Sequence, residues 1–290
     1  MKAPRFSYVV AQSVAHAVQL LHQHGDEARI LAGGQSLMPA LNMRLSQPKL
    51  LIDINRLDAL RGITRDGDRV RIGALARHVE VATSPVILEH VPLVAEAMLH
   101  VAHVAVRNRG TFGGSIALAD PAAELPACAL ALGATVVVEN VRSRRAIAAV
   151  DYFRGLFETA RAPDELLVEV QIPVQSPGWV SVFMELARRQ GDFAIAGVAF
   201  HLNVAGGTVS DGRLVFFASE EKPTLAHEAL AALRGKRLDA ASSEAAAAAL
   251  SYDLKPTSSP HGSAKLRLHL QRVLTRRALG VAVIRAGLAS

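Results

Sequence analysis

Cysteine is almost missing from this chain: among 290 residues only Cys128 is one, inside the apolar run from Ala127 to Leu132. A lone thiol closes no internal disulfide, and a metal or iron–sulfur site needs more ligands than it offers. It reads as a small buried hydrophobe. Long apolar runs are missing too. None approaches the ~18 residues of a membrane span, and the opening from Met1 to Gly25 has neither a continuous apolar segment nor a small-residue cleavage pattern. A cytoplasmic protein without a membrane span is expected. Aromatic residues make up only 4% of the chain, which, beside abundant alanine, suits helices lying close on sheets. Acidic charge falls short of basic charge, leaving a net +6. The arginines are nevertheless scattered, at Arg142, Arg144 and Arg145, at Arg188 and Arg189, and at Arg272, Arg276 and Arg277. There is no long block of like charge and little aromatic interleaving, so nucleic acid is not the expected partner. A solvated surface or an acidic protein partner fits better.

Several motifs are absent as well. No GxGxxG enters a helix and there is no GxxxxGK[ST], which excludes the standard Rossmann and P-loop sites. No GxSxG elbow stands in a Ser-His-Asp order, no HExxH occurs, and no cysteine–histidine set has metal-ligand spacing. Redox work without a metal or a reactive thiol requires an organic cofactor.

What is present is a pair of similar glycine turns. Around Arg107-Asn108-Arg109, the chain continues as Gly110-Thr111-Phe112-Gly113-Gly114-Ser115 and then Ala119-Asp120-Pro121-Ala122-Ala123-Glu124. Earlier, Arg29-Ile30-Leu31 runs into Ala32-Gly33-Gly34-Gln35-Ser36-Leu37. Each turn places two adjacent glycines beside hydroxyl side chains. Glycine permits positive φ and lets an anion approach backbone amides closely. The turns therefore read as two halves of one phosphate cradle, with isolated tight turns as the competing reading. Asp120 is expected to cap a helix with Pro121 at its first position, which would put Asp120 and Glu124 on one helix face. Such a pair can exchange protons or hydrogen-bond a bound cofactor; with the glycine turns nearby, hydrogen bonding is the preferred role.

The rest of the chain supplies an α+β frame. Ser13 opens an amphipathic helix with Val14, Ala17, Val18 and Leu21 on one face, closed at His24-Gly25. Strands are expected at 29–31 and 50–54, with a short helix or turn from Met38 to Arg44, and a hairpin at 63–72. Ser84-Pro85 starts another helix, and the segment 91–100 is helical. His16, His22, His24, His100 and His103 lack the partners that metal binding or nucleophilic catalysis needs. A helix from Asp120 to Leu132 precedes strands at 135–139, 146–150 and 166–172, with Asp151 capping a short helix. Gln175-Ser176-Pro177-Gly178 reads as a domain boundary. Beyond it, 180–189, 194–204 and 208–218 form a three-stranded antiparallel meander, followed by helices at 224–233, 239–250 and 263–279.

The segments AGGQSLMP at 32–39, RIGAL at 71–75 and VRNRGTFGGS followed by ADPAAELPA resemble the FAD-binding medium subunit of the molybdenum hydroxylases, the xanthine dehydrogenase family. The likeness is greatest to carbon monoxide dehydrogenase medium subunits. ARRQGDFAIAGVA at 187–199 and HGSAKLRLHLQRVLTRRAL at 261–279 extend it over essentially the whole chain. The resemblance implies a two-part PCMH-type FAD-binding domain over 1–175, with subdomains of about 1–57 and 58–175, and a C-terminal domain over 176–290. It implies FAD contacts from Leu31, Ala32, Gly33, Gly34, Gln35, Ser36 and Leu37, and from Thr111, Phe112, Gly113, Gly114 and Ser115. Val101, Glu124, Leu167 and Phe193 match further cofactor positions, and Asp120 joins them from the residue reading. It also implies a small subunit with [2Fe–2S] clusters, a molybdopterin large subunit, an external electron acceptor and a dimer of heterotrimers. Two departures stand out: Met184-Glu185 lies where some members carry a cofactor-holding lysine, and Phe112 where many have Ile or Val. A freestanding FAD-dependent oxidoreductase and a basic scaffold or nucleic-acid-binding protein remain as alternatives.

Overall fold

Residues 2–260 and 262–288 are described by the computed structural model, and they build three larger sheets in succession and one two-stranded sheet. Strands β1 (Ser7–Val10), β2 (Ala28–Leu31) and β3 (Leu50–Asp53) form a parallel sheet in the order β1-β3-β2, with Val10 and Leu31 both opposite Asp53. Parallel neighbours need crossovers. Helix α1 (Val14–His24) is the first, started by Ser13, whose hydroxyl accepts the His16 amide at 3.0 Å, and ended by Gly25 at φ +48°. Its Ala17, Val18 and Leu21 are buried in a core shared with Ile52, Leu166 and Val168. Helix α2 (Leu37–Asn42) is in the second crossover and begins where the first glycine turn ends.

The middle sheet is antiparallel, in the order β4-β5-β10-β6-β7. Its strands are β4 (Ile63–Asp66), β5 (Arg69–Gly73), β6 (Thr135–Glu139), β7 (Arg144–Ala148) and β10 (Leu166–Pro173). A small hairpin, β8 (Phe153–Gly155) with β9 (Glu158–Thr159), precedes β10. Between β5 and β6 the chain makes α3 (His78–Thr83), α4 (Pro85–His90), α5 (Pro92–Met98), α6 (Val104–Arg107), α7 (Phe112–Leu118) and α8 (Glu124–Ala131). Ser84 caps α4 as the Ser-Pro pair predicts, accepting the Ile87 amide. Every residue of α8 is buried, Cys128 included, and burial holds that thiol well above its ordinary range.

The third sheet runs β11-β12-β13-β14. The three long antiparallel strands β11 (Trp179–Leu186), β12 (Ala196–Ala205) and β13 (Thr208–Phe217) are the expected meander, and β14 (Thr224–Leu225) adds a short fourth. Helices α10 (His227–Leu233), α11 (Ala240–Asp253) and α12 (Ala264–Arg285) cover one face. Phe183, Ala199, Val215 and Phe217 of the opposite face join the core of the middle sheet's helices. No helix among the described residues is long and apolar enough to cross a membrane.

Five local expectations are corrected. Asp120 does not start α8; its carboxylate accepts the Ala122 amide at 2.9 Å in a tight local turn, and the helix begins at Glu124 after Ala123. Strand β7 begins at Arg144, because Arg144 and Arg145 reach across to Glu169 (3.0 Å) and Glu165 (2.6 Å) instead of lying in the turn. Asp151 lies inside the short helix Ala149–Tyr152 (α9) and does not cap it. Thr224 and Leu225 pair with Phe216 and Val215, so α10 starts only at His227. The last helix also runs beyond the expected 279 to Arg285.

That extension has a structural consequence. Arg285 reaches both the Glu96 carboxylate on α5 and the Ser181 carbonyl, while the Phe183 amide donates to Glu96 at 3.1 Å. One half-buried carboxylate thus ties the middle helices to the third sheet and the last helix. Replacing it deprives the Phe183 amide of this acceptor and leaves Arg285 only the Ser181 carbonyl, so Glu96→Ala is expected to lower unfolding free energy by about 1–3 kcal/mol, read from a urea transition. An unchanged midpoint and slope would contradict this role.

Candidate cofactor site

The first glycine turn leaves β2 at Leu31 and reaches α2 through Ala32, Gly33, Gly34, Gln35 and Ser36. Gly34 has φ +71°, the left-handed conformation that glycine adopts without strain. Among the described residues, the amides of Gly34, Gln35, Ser36 and Leu37 find no protein acceptor. Successive free amides at a turn leading into a helix are a nest for an anion. The Asn55 side chain holds this loop from behind by donating to the carbonyls of Ala32 (2.7 Å) and Leu31 (3.3 Å).

The second turn is built differently. Thr111 caps α7 by accepting the Gly114 amide at 3.1 Å. The Phe112 amide donates to Ala76 O at 2.9 Å and the Gly113 amide to Ala74 O at 3.0 Å. Its amides are therefore spoken for, and neither Gly113 nor Gly114 has positive φ. Glycine is required here for closeness: a Cβ on Gly113 would stand 2.6 Å from Ala74 Cα, and one on Gly114 would stand 2.7 Å from the Thr111 hydroxyl. The expectation of one phosphate cradle with two like halves is thus refined to one amide nest facing one close-packed wall.

The two turns touch through their backbones. A Cβ on Gly33 would lie 2.4 Å from Arg109 O. Arg77 reaches that same carbonyl and also donates to Asn55 Oδ1 at 2.7 Å, stitching both turns together. Beside it, the His78 amide donates to Gly110 O at 3.0 Å, and a Cβ on Gly110 would press within 2.9 Å of His78 Nδ1. Burial, with the nearby Arg107 and Arg77 charges, brings the His78 imidazole down to about 4, so the ring is neutral at neutral pH. Neither Arg77 nor His78 stood out in the sequence. Their one signal is position, directly after the Arg71–Leu75 segment that carries part of the resemblance.

Between the turns lies a cavity of about 680 Å³, within the range of organic-cofactor pockets. Ala32, Gly33, Gly34, Gln35, Ser36 and Leu37 line it from one side, and Thr111, Gly113, Gly114 and Ser115 from the other. Val101, Asp120, Glu124, Leu167 and Phe193 complete the predicted set that it gathers. Leu31 and Phe112 do not line it. Leu31 is held as the last residue of β2, opposite Asp53, and Phe112 is fully buried in the core, so its bulk faces away from the cavity.

The remaining walls carry strain and buried acid. Ala102 has φ +44°, and the Arg107 guanidinium holds its carbonyl and that of Val101 at 2.8 Å each. Phe193 is 64% exposed at the rim and so is not part of the core. Glu124 is 6% exposed at the start of α8; burial, reinforced by Glu185 and Asp120, raises its carboxyl to about 8. Burial raises Asp120 as well. A protonated Glu124 donates a hydrogen bond and does not repel an anionic ligand.

Residues 4–175 match the model of the FAD-binding domain in molybdopterin dehydrogenase, and residues 181–282 that of the CO dehydrogenase flavoprotein C-terminal domain. The chain belongs to this family. It is 41% identical over 287 residues to 6-hydroxypseudooxynicotine dehydrogenase complex subunit alpha of Paenarthrobacter nicotinovorans, covering 99% of this chain and 97% of that one. Its fold superimposes on carbon monoxide dehydrogenase from Hydrogenophaga pseudoflava with a TM-score of 0.96 at 38% identity, over 98% and 99% of the two chains. Quinoline 2-oxidoreductase from Pseudomonas putida 86 gives a TM-score of 0.94 at 37% identity over 100% of both. The family resemblance carried by the glycine turns is thereby borne out, and with it FAD as the cofactor of an oxidoreductase subunit.

Two outcomes are expected. Gly114→Ala displaces the Thr111 hydroxyl from its capping bond, costing about 1 kcal/mol of stability and weakening FAD binding by about tenfold or more, read by melting and by flavin titration; wild-type affinity would contradict the wall. For Glu124, the fold keeps the proton to about pH 8 whereas an ordinary carboxyl releases it near 4.5. Between these values the folded state binds the extra proton, so stability falls as pH rises through the window. Glu124→Gln removes that decline and should stabilise the cofactor-free chain by about 1–4 kcal/mol at its alkaline end and little at its acid end. Equal pH dependence of melting in both proteins would contradict it.

Proposed function

We propose that this chain is the flavin-holding electron relay of a heterotrimer, with FAD lying across the cavity and its pyrophosphate on the free amides of Gly34–Leu37. Those unpartnered amides, facing the glycine wall of the second turn, are the observation that carries the reading. Glu124 offers a protonated carboxyl to hydrogen-bond the cofactor's polar edge, and Asp120 stands beside it in the cavity wall. Val101 and Leu167 give apolar walls, and Phe193 covers the rim nearest the Gly191 turn. Bound FAD supplies the conversion between one-electron and two-electron transfer. The chain's own share is to bind, orient and partly desolvate the cofactor.

Electrons would arrive from [2Fe–2S] clusters on a small partner subunit, themselves served by a molybdopterin-bearing large subunit, and leave to an external acceptor, in a dimer of heterotrimers. Substrate choice would then reside on the large subunit. The relatives' names support this assembly: a dehydrogenase complex subunit in one case and a nicotine 6-hydroxylase medium subunit in another. We further infer a domain division at 175–176, with FAD held mainly by the first part, whose family model covers 4–175, and the rim residue Phe193 contributed by the second. The basic surplus does not argue for nucleic acid, since Arg144, Arg145, Arg276 and Arg285 are each paired with a glutamate.

Affinity purification of the tagged chain from its native source tests the assembly. The expected preparation contains two further polypeptides, iron and molybdenum, and FAD equimolar with this chain; its iron–sulfur and flavin bands bleach together on reduction. A chain that purifies with flavin but without an iron–sulfur polypeptide would contradict the heterotrimer and favour a freestanding flavoenzyme.

A further inference from the structure

Behind the cavity wall lies a group of carboxyls and one imidazole, of which cofactor binding uses only Glu124. Helix α5 supplies Glu96 and the turn after it His100, β11 supplies Glu185, and α8 supplies Glu124; α5 packs against both of the other elements. Glu96 is fully accounted for by the Phe183 amide and Arg285. Glu185 is not. Its side chain is 3% exposed, one oxygen lies 3.4 Å from His100 Nδ1, and the other is buried without a partner among the described residues. His100 leans on Phe183 with ring centroids 5.2 Å apart, and its side chain is 40% exposed. It opens into a second recess, shared with Glu185, Leu186 and Arg189, that meets the cofactor cavity at Gly191.

We propose that Glu124, Glu185 and His100 form a proton relay from the cofactor cavity to the solvent-facing recess. The inference rests on the FAD reading above. Reduction of a flavin takes up protons with its electrons, and a cofactor enclosed by apolar walls needs a path for them. Glu124 gives its proton to the reduced cofactor, Glu185 passes one from His100 to Glu124, and water in the recess reprotonates His100. The electrons come from the iron–sulfur partner in the complex and from dithionite in the test below. On reoxidation the protons leave by the same groups.

The charges around the path favour it. Glu124 stands near Glu185, His100 and Asp120, and it holds its proton to about pH 8, so it is a loaded donor at neutral pH. His100 is raised by its contact with Glu185, against the opposing effect of burial, and the nearby Glu96 adds to the rise. Also facing the path are Cys128, held protonated by burial on α8, Arg285, engaged by Glu96 and Ser181, and Arg189, which lines the recess with His100 and Glu185. An ion pair kept for stability alone would not leave a buried carboxylate oxygen unpaired, since such an atom is costly to hold. That oxygen belongs to the acid that touches the exposed imidazole and whose charge acts on the cavity donor.

Two measurements on the full-length chain test the relay. In the cofactor-free protein, the His100 ring is titrated by NMR. The relay predicts an elevated pKa that returns toward the ordinary histidine range in Glu185→Gln, and a second inflection in the ring's chemical shift near pH 8, where Glu124 gives up its proton, that is lost in Glu124→Gln; absence of that second inflection from the wild-type protein would sever the inner link and overturn the proposal. In the FAD-loaded protein, reduction by dithionite is followed by stopped flow in light and heavy water. His100→Gln and Glu185→Gln should slow reduction about tenfold and enlarge the solvent isotope effect, with flavin content and melting temperature retained, and added imidazole should restore the rate of His100→Gln. If Glu185→Gln fails to fold, the half-exposed His100→Gln still decides. Wild-type rates and isotope effects in that variant overturn the relay, whereas failure of wild-type protein to take up flavin overturns the cofactor reading instead.

Discussion

The structure depends on a contact between two stretches of bare backbone. Gly33 lies directly on the carbonyl of Arg109, leaving no space for even a methyl group. The contact brings the end of a parallel strand against the start of a helix from the antiparallel sheet. Arg77 pins it by reaching that carbonyl and Asn55, and Asn55 in turn holds the carbonyls of Leu31 and Ala32. With the turns fixed at this separation, the free amides of one face the packed glycines of the other. Gly110 and Gly113 extend the same principle to His78 and Ala74.

The C-terminal part completes the site from the opposite side. Gly191 packs on His103 and the strained Ala102, bringing Phe193 to the rim. Ala218, itself at φ +63°, donates its amide to Pro121 O at 2.8 Å, next to Asp120 in the cavity wall. The buried Arg267 and Gln271 of α12 hold the carbonyls of Ala218 and Phe217 in turn. Cofactor loops and C-terminal helices therefore share one network, so damage at α12 is transmitted to the wall of the cavity.

Much of this was legible from the residues. The Gly-Gly turns, the Ser13 and Ser84 caps and the strand-rich third of the chain announced themselves because each rests on local backbone chemistry. Elements set by distant partners did not. Thr224 and Leu225 are a strand only because β13 lies beside them, and Asp120 satisfied an amide two residues away before a helix could begin there. The roles of the glycines were misjudged for a similar reason. Positive φ is a local property and holds for Gly34, whereas Gly33, Gly110 and Gly113 are glycine because of atoms far along the chain. His78 became visible only once folding had buried it, and Glu185, noted in the sequence only as a departure from the family's lysine, drew attention through its burial beside His100.

The claim at the centre of this account is that a pyrophosphate bridge sits between the two turns. Titrating the purified chain with FAD and, separately, with FMN tests it most directly, because FMN keeps the flavin ring but has a single phosphate. The account predicts stoichiometric FAD binding, with FMN weaker by about a hundredfold or more. Equal affinity for the two, or a folded chain that takes up neither, would contradict it.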